Sequence, residues 1–218
     1  MQGIVTKYIA ALGLLLFSCF ISAADITLKI TDQHGQPLAN SVVELLGQNN
    51  QVVAGDLPVL IMDQIDKHFS PILLVAQQGQ KVNFPNSDNI RHHVYSFSKA
   101  KPFQLKLYSG QPEQPVEFEN DGIVVLGCNI HDSMVGYIYI ASSPNTYQSD
   151  ANGIVRIEQS RLPMKISLWH PLQSLPLEEK ALLSITENAV SSLAIVIKTD
   201  TPAPRNTFGN KFKAENDQ

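Results

Sequence analysis

Between Asp25 and Ile197 the chain is cut by turn residues into short apolar segments, and almost none of them carries a helical period. Asp25–Thr31 reads DITLKIT, with Ile26, Leu28 and Ile30 on one face. Alternation of that kind belongs to a strand with one buried face. Ser41–Leu46, Thr146–Ser149, Ile154–Glu158, Met164–Trp169 and Ser191–Ile197 are read as further strands. A second series lies between them: Ile72–Ala76, Lys81–Phe84, His92–Phe97, Phe103–Tyr108, Val116–Phe118, Ile123–Cys128 and Gly136–Ala141. Short strands separated by Gln78-Gly79, Pro85-Asn86-Ser87-Asp88 or Asn120-Asp121-Gly122 specify an all-β chain, an antiparallel sandwich or barrel. Only Leu177–Ile185 offers a short helix. The polar segment Thr201–Gln218, with its two prolines, reads as a disordered tail.

Two D-x-x-G turns, Asp32-Gln33-His34-Gly35 and Asp150-Ala151-Asn152-Gly153, stand near opposite ends of this strand pattern, and each has a glycine free to take the left-handed position. They are expected to belong to one module, assembled from both ends of the chain around the inner series.

The first 24 residues read as an export signal: Lys7, then the uncharged run Tyr8–Ile21, then the small residues Ser22-Ala23-Ala24. The run is shorter than the roughly 20 apolar residues of a membrane span. The expectation is therefore a periplasmic protein with no transmembrane helix in its mature chain. A lipid anchor through Cys19 is the alternative, because Leu16-Phe17-Ser18-Cys19 loosely resembles a lipoprotein box. Losing Lys7 with the leader takes the formal charge from −4 to −5. No basic patch is left to meet phosphates, which argues against nucleic acid as a partner.

The leader also takes one of the two cysteines, leaving Cys128 as the single thiol of the mature chain. One cysteine cannot close an internal disulfide, so the open readings are a bridge to another chain, a reactive thiol, a metal ligand or an inert buried residue. Its neighbours narrow the choice. Gly127-Cys-Asn-Ile-His131-Asp-Ser-Met134-Val-Gly136 puts a thiolate, an imidazole and a thioether on one loop between two strand segments. Such donors, joined by a second imidazole, favour copper in a trigonal His₂Cys set with a weak axial Met; zinc gains little from Met. A thiol enzyme would leave Met134 with no role. Gly127 and Gly136 are read as the sharp entry to and exit from the loop. The second imidazole is expected from His92 or His93 in Arg91-His-His-Val94. Adjacent strand residues face opposite ways, so one of the two reaches the metal, and alternation leaves open which.

With those motifs quoted, the run from Met62 to Ile140 resembles a cupredoxin, the small blue-copper fold of plastocyanin and amicyanin. It is most similar to exported plastocyanin-like proteins labelled methylamine-utilisation proteins. The resemblance rests on Asn86-Ser-Asp-Asn-Ile-Arg-His92-His93-Val94 and on the Cys-x₂-His-x₂-Met spacing of Cys128, His131 and Met134. It implies a Greek-key β-sandwich and one type 1 copper ion held by His92, Cys128, His131 and Met134. It also implies one-electron transfer to redox partner proteins by a monomer that is not an enzyme. Aligning on Val94 puts His93 where the family commonly has an Asn that ties the two ligand loops together, and Arg91 replaces a common Pro. PLANSVVELL and SDANGIVRI…LPMKISLWHP are similar to pieces of a transthyretin-like or carboxypeptidase-regulatory-like sandwich. The expected organisation is a leader (1–24), a flanking β module in two parts (25–58 and 143–200), a cupredoxin domain (59–142) and the tail (201–218). Two other roles would use the same residues: a copper buffer, delivery or sensing protein, and a scaffold sandwich with incidental copper.

Overall fold

The computed structural model describes residues 24–47, 57–131, 133–160, 162–186 and 191–200. The expected leader up to Ala23, Cys19, Asp132 and the expected tail lie outside the described residues.

Every regular element among the described residues is a strand. The outer strands are β1 (Ala24–Thr31), β2 (Val42–Leu46), β13 (Thr146–Gln148), β14 (Ile154–Ser160), β15 (Met164–Trp169), β16 (Ala181–Ile185) and β17 (Ser192–Val196). They make two sheets, ordered β14-β1-β17 and β13-β2-β15-β16. The alternation in DITLKIT now has its partner layer. Ile26, Leu28 and Ile30 pack against Val43, Leu45, Ile166 and Leu168 in one continuous core. Each of these side chains contributes about 1.5–3 kcal/mol of burial free energy. The second D-x-x-G turn lies against β1, the strand that leads into the first: Ile30 N donates to Gly153 O at 2.8 Å. In both turns the aspartate Oδ1 accepts two backbone N–H groups. Gly153 has φ +71°, and a Cβ there would stand 2.2 Å from the Ile30 carbonyl oxygen, so only glycine fits.

The expected helix over Leu177–Ile185 is not formed. Leu177 and Glu178 turn, and Ala181–Ile185 is an edge strand paired antiparallel with β15, Ile185 opposite Met164. That pairing buries Ile185 and leaves Leu182 72% exposed. Its apolar spacing therefore belongs to a sheet edge rather than to a helical face.

The inner strands are β3 (Leu60–Ile61), β4 (Asp63–Ile65), β5 (His68–Ser70), β6 (Leu73–Gln77), β7 (Lys81–Asn83), β8 (His92–Ser96), β9 (Phe103–Tyr108), β10 (Val116–Glu117), β11 (Gly122–Cys128) and β12 (Val135–Ala141). They form a five-stranded sheet β6-β12-β11-β8-β9, a three-stranded sheet β10-β7-β3 and the hairpin β4-β5. Phe84, Val94, Phe118, Val124, Leu126 and Ile138 fill the core of this second sandwich, and Cys128 and Met134 belong to the same cluster. Met62 and Met164 are both core residues. A third cluster joins the two sandwiches: Val42 and Trp169 on one side, Leu73, Ile123, Tyr137 and Tyr139 on the other.

Candidate metal centre

The centre is built where β8 and β11 run side by side. Cys128 pairs with Val94 and Gly127 with Tyr95. Along β8 the burial alternates, with His92, Val94 and Ser96 buried and His93 and Tyr95 only partly so. His92 therefore points inward with Val94, and its Nδ1 lies 3.6 Å from Cys128 Sγ. β11 stops at Cys128 and β12 starts at Val135, which pairs with Gly127. The intervening loop is thus closed at its base, and Met134 N donates to His131 O at 2.9 Å within it. That turn folds His131 back over His92, with ring centroids 5.2 Å apart and planes at 59°.

Gly127 and Gly136 serve close contact rather than sharp entry and exit. A Cβ on Gly127 would stand 2.8 Å from Tyr95 Cζ, and one on Gly136 would stand 2.9 Å from Phe69 Cβ. Neither glycine is among those with positive φ. Aromatic rings lie directly on both strands at the base of the loop, and glycine is what leaves room for them.

One ligating atom each from His92, Cys128 and His131 falls within 4.8 Å of the others. Donors about 2.0–2.3 Å from one ion stand about 3.5 Å apart, so the set needs only a small contraction to close on a metal. His131 Nδ1 is buried and has no hydrogen-bond partner. A buried polar atom without a partner costs about 1–3 kcal/mol, and a metal bond would satisfy it. Burial pushes the His131 imidazole below its ordinary pKa; His92 and Lys67 act in the same direction and Asp88 opposes them. The shift favours the neutral ring, the form in which an imidazole ligates. Met134 is 1% exposed and shares the core cluster with Cys128. A thiol, two imidazoles and a nearby thioether are the donor types a copper ion of this class takes.

The loop from Pro85 to Arg91 carries His92, and Asn86 organises it. Its Nδ2 donates to Ile90 O at 2.9 Å and Tyr108 O at 2.8 Å, and its Oδ1 accepts from Asp88 N at 3.1 Å. Asn129 is exposed. His93 does not tie the ligand loops together in place of Asn: its Nε2 is buried without a hydrogen-bond partner and its ring packs on Tyr95 at 5.7 Å. The residue sequence reasoning missed is Asp88, whose Oδ2 lies 2.6 Å from His92 Nε2. Burial alone would raise its pKa, but hydrogen bonds from Lys67 N, His92 and Asp66 N hold the carboxyl below the usual range. The only sequence signal was an acid four residues before a candidate ligand. His68 is exposed, His34 lies in an exposed turn, and His170 is buried and hydrogen-bonded to Ala39 O at 3.0 Å.

No family model and no curated protein matches the chain. Among solved structures it is similar to a copper-containing nitrite reductase from Thermus scotoductus SA-01, with 24% identity over 43% of this chain and a TM-score of 0.36. It spans only 25% of that protein's length. It is also similar to a reduced amicyanin variant, with 17% identity over 45% of this chain and 97% of that one, TM-score 0.32. A purple cupredoxin from Nitrosopumilus maritimus is similar with 24% identity over 37% of this chain and 95% of that one, TM-score 0.29. The described architecture is all-β with several sheets, as expected. One expectation is corrected: that the chain is not an enzyme. A similar structure is itself a reductase, so a fold of this kind does not set catalysis aside.

Proposed function

We propose that the chain is an exported type 1 copper protein that passes single electrons in the periplasm, nearest in kind to plastocyanin-like proteins of the cell envelope. The observation that carries this reading is the convergence of His92, Cys128 and His131 within 4.8 Å, beside a buried His131 nitrogen with no other partner. His92, Cys128 and His131 would hold the ion, with Met134 offering a weak fourth donor. Copper supplies the one-electron couple between Cu(I) and Cu(II). The protein supplies a site that changes little between them. Gly127 is paired on one side to β8 and on the other to β12, and Cys128 is paired to Val94 of β8. His92 is completely buried and held on its far nitrogen by Asp88. His131 is the one ligand in the set that is partly exposed, so electrons exchanged with a protein partner would leave by its edge.

The test is addition of Cu(II) to purified protein with a visible spectrum recorded. An intense thiolate-to-copper charge-transfer band is expected, and Cys128→Ser abolishes it. A protein that binds Cu(II) without that band is no type 1 site.

A further inference from the structure

His92 is completely buried and both of its ring nitrogens are engaged, one by Cys128 and one by Asp88. A carboxylate only accepts hydrogen bonds, and a neutral imidazole has one donor nitrogen and one acceptor nitrogen. The 2.6 Å contact with Asp88 Oδ2 therefore makes Nε2 the donor and leaves the lone pair of Nδ1 facing the thiol. The same carboxylate does a second job. Its Oδ1 accepts from Asp66 N at 2.6 Å and its Oδ2 from Lys67 N at 2.9 Å. Asp66 and Lys67 form the turn of the β4-β5 hairpin with φ of 51° and 61°, a left-handed conformation that non-glycine residues rarely adopt. Asp88 is itself fixed: its backbone N bonds Asn86 Oδ1, and the preceding Ser87 Oγ donates to Asp63 Oδ2 at 2.8 Å. Its side chain is only 10% exposed.

We propose that Asp88 is the positioning residue of the centre: its carboxylate selects the Nε2–H tautomer of His92, aims Nδ1 at the site, and anchors that ring to the exposed turn at Asp66-Lys67. The inference rests on the copper reading for its functional meaning, but the tautomer itself does not. Carboxylate partners of ligating histidines are commonly worth ten- to a hundred-fold in metal affinity.

The experiment uses ¹⁵N-labelled full-length protein without metal, and long-range ¹H–¹⁵N spectra of the His92 ring. Wild type is expected to show one tautomer, protonated at Nε2. Asp88→Ala and Asp88→Ser place no acceptor within reach of Nε2, and either variant that keeps the wild-type backbone spectrum away from residues 60–92 serves. Mixed or inverted tautomers are expected, with Cu(II) bound about ten- to a hundred-fold more weakly. Asp88→Asn keeps an acceptor oxygen and restores the single tautomer. The proposal is overturned by an unaltered tautomer in the Ala and Ser variants, by unaltered copper affinity beside an altered tautomer, or by a loss in the Asn variant equal to that in the Ala variant. If wild type binds no copper, the proposed function fails while the ring spectra still decide whether Asp88 sets His92.

Discussion

Removing the Glu44 carboxylate should loosen the two sandwiches from one another. Glu44 is completely buried on β2. Its Oε1 accepts from Ser142 N at 2.7 Å, Ser142 Oγ at 2.7 Å and Ser143 N at 2.9 Å. Its Oε2 accepts from Tyr139 Oη at 2.7 Å and Lys180 Nζ at 3.1 Å. One side chain thus joins an outer strand to β12, to the connection that follows it and to Lys180, which also sits 4.3 Å over the Tyr139 ring. Glu44→Ala strands the buried Ser143 N and takes one partner from Ser142 N and from Tyr139 Oη, which keeps Ser167 Oγ at 3.1 Å; each buried donor left unpaired costs about 1–3 kcal/mol. Lys180 is 17% exposed and can turn to water. Local relaxation limits the sum, and about 3–5 kcal/mol is expected, the usual loss on breaking a buried ion pair. Glu44→Gln retains one acceptor and should lose about 2–3 kcal/mol. Urea denaturation followed by Trp169 fluorescence reads this directly, because the chain's single tryptophan lies in the joining cluster. A cycle with Tyr139→Phe should give a coupling of about 1 kcal/mol or more. The sign with pH is also fixed. Burial alone would raise the Glu44 pKa, but Tyr139, Lys180 and Ser142 outweigh it and hold the carboxyl low. Its stabilisation is therefore complete above the unfolded value of about 4.3 and is lost as pH falls through the lower folded value. A Glu44→Ala loss below about 1 kcal/mol at neutral pH would refute the ledger of stranded donors.

Three other outcomes follow from particular contacts. Gly136→Ala should cost about 1–3 kcal/mol, because the added methyl meets Cβ of Phe69, which is 3% exposed. Gly127→Ala meets the far end of the partly exposed Tyr95 ring and should cost less; melting curves of the pair check the order. His170 is held below its ordinary pKa by burial, partly offset by its bond to Ala39 O, and its Nδ1 accepts from Leu172 N at 3.1 Å. The unfolded chain takes up that proton first, so stability falls as pH drops below about 6.5; denaturation midpoints of His170→Asn should fall less steeply than those of wild type. Met134→Leu should leave Cu(II) bound and raise the reduction potential, read by voltammetry, because the thioether is the weak axial donor of the proposed set.

What the sequence disclosed was whatever depends on neighbours along the chain. Period-two alternation located nearly every long strand, and the aspartates and glycines of the two D-x-x-G turns announced their geometry. Cys128, His131 and Met134 were legible because one loop carries them all, whereas alternation alone left His92 and His93 open and only the one-sided core of β8 separates them physically. Asp88 was hidden because its partners, the hairpin turn at Asp66-Lys67 and the ring of His92, come together only through the sandwich. Gly127 and Gly136 were misread for the same reason: what they accommodate is an aromatic ring from another strand.

Glu44 is the instructive case, because its signal was present in SVVELL. Val43 and Leu45 supply the face that packs in the outer core, so Val42 and Glu44 must share the other face. A strand of a free-standing sandwich turns that second face to water, where a glutamate needs no explanation. Val42, buried beside Tyr139 and Trp169, shows that the face is covered. A carboxylate under such a cover survives only if the covering layer brings donors to it. The hydroxyl of Tyr139 and the two backbone amides at Ser142 and Ser143 are those donors, and Lys180, next to β16 of the outer sheet itself, adds a fourth. One buried charge thus couples the relative placement of the sandwiches to β12, the strand that closes the loop of the metal centre.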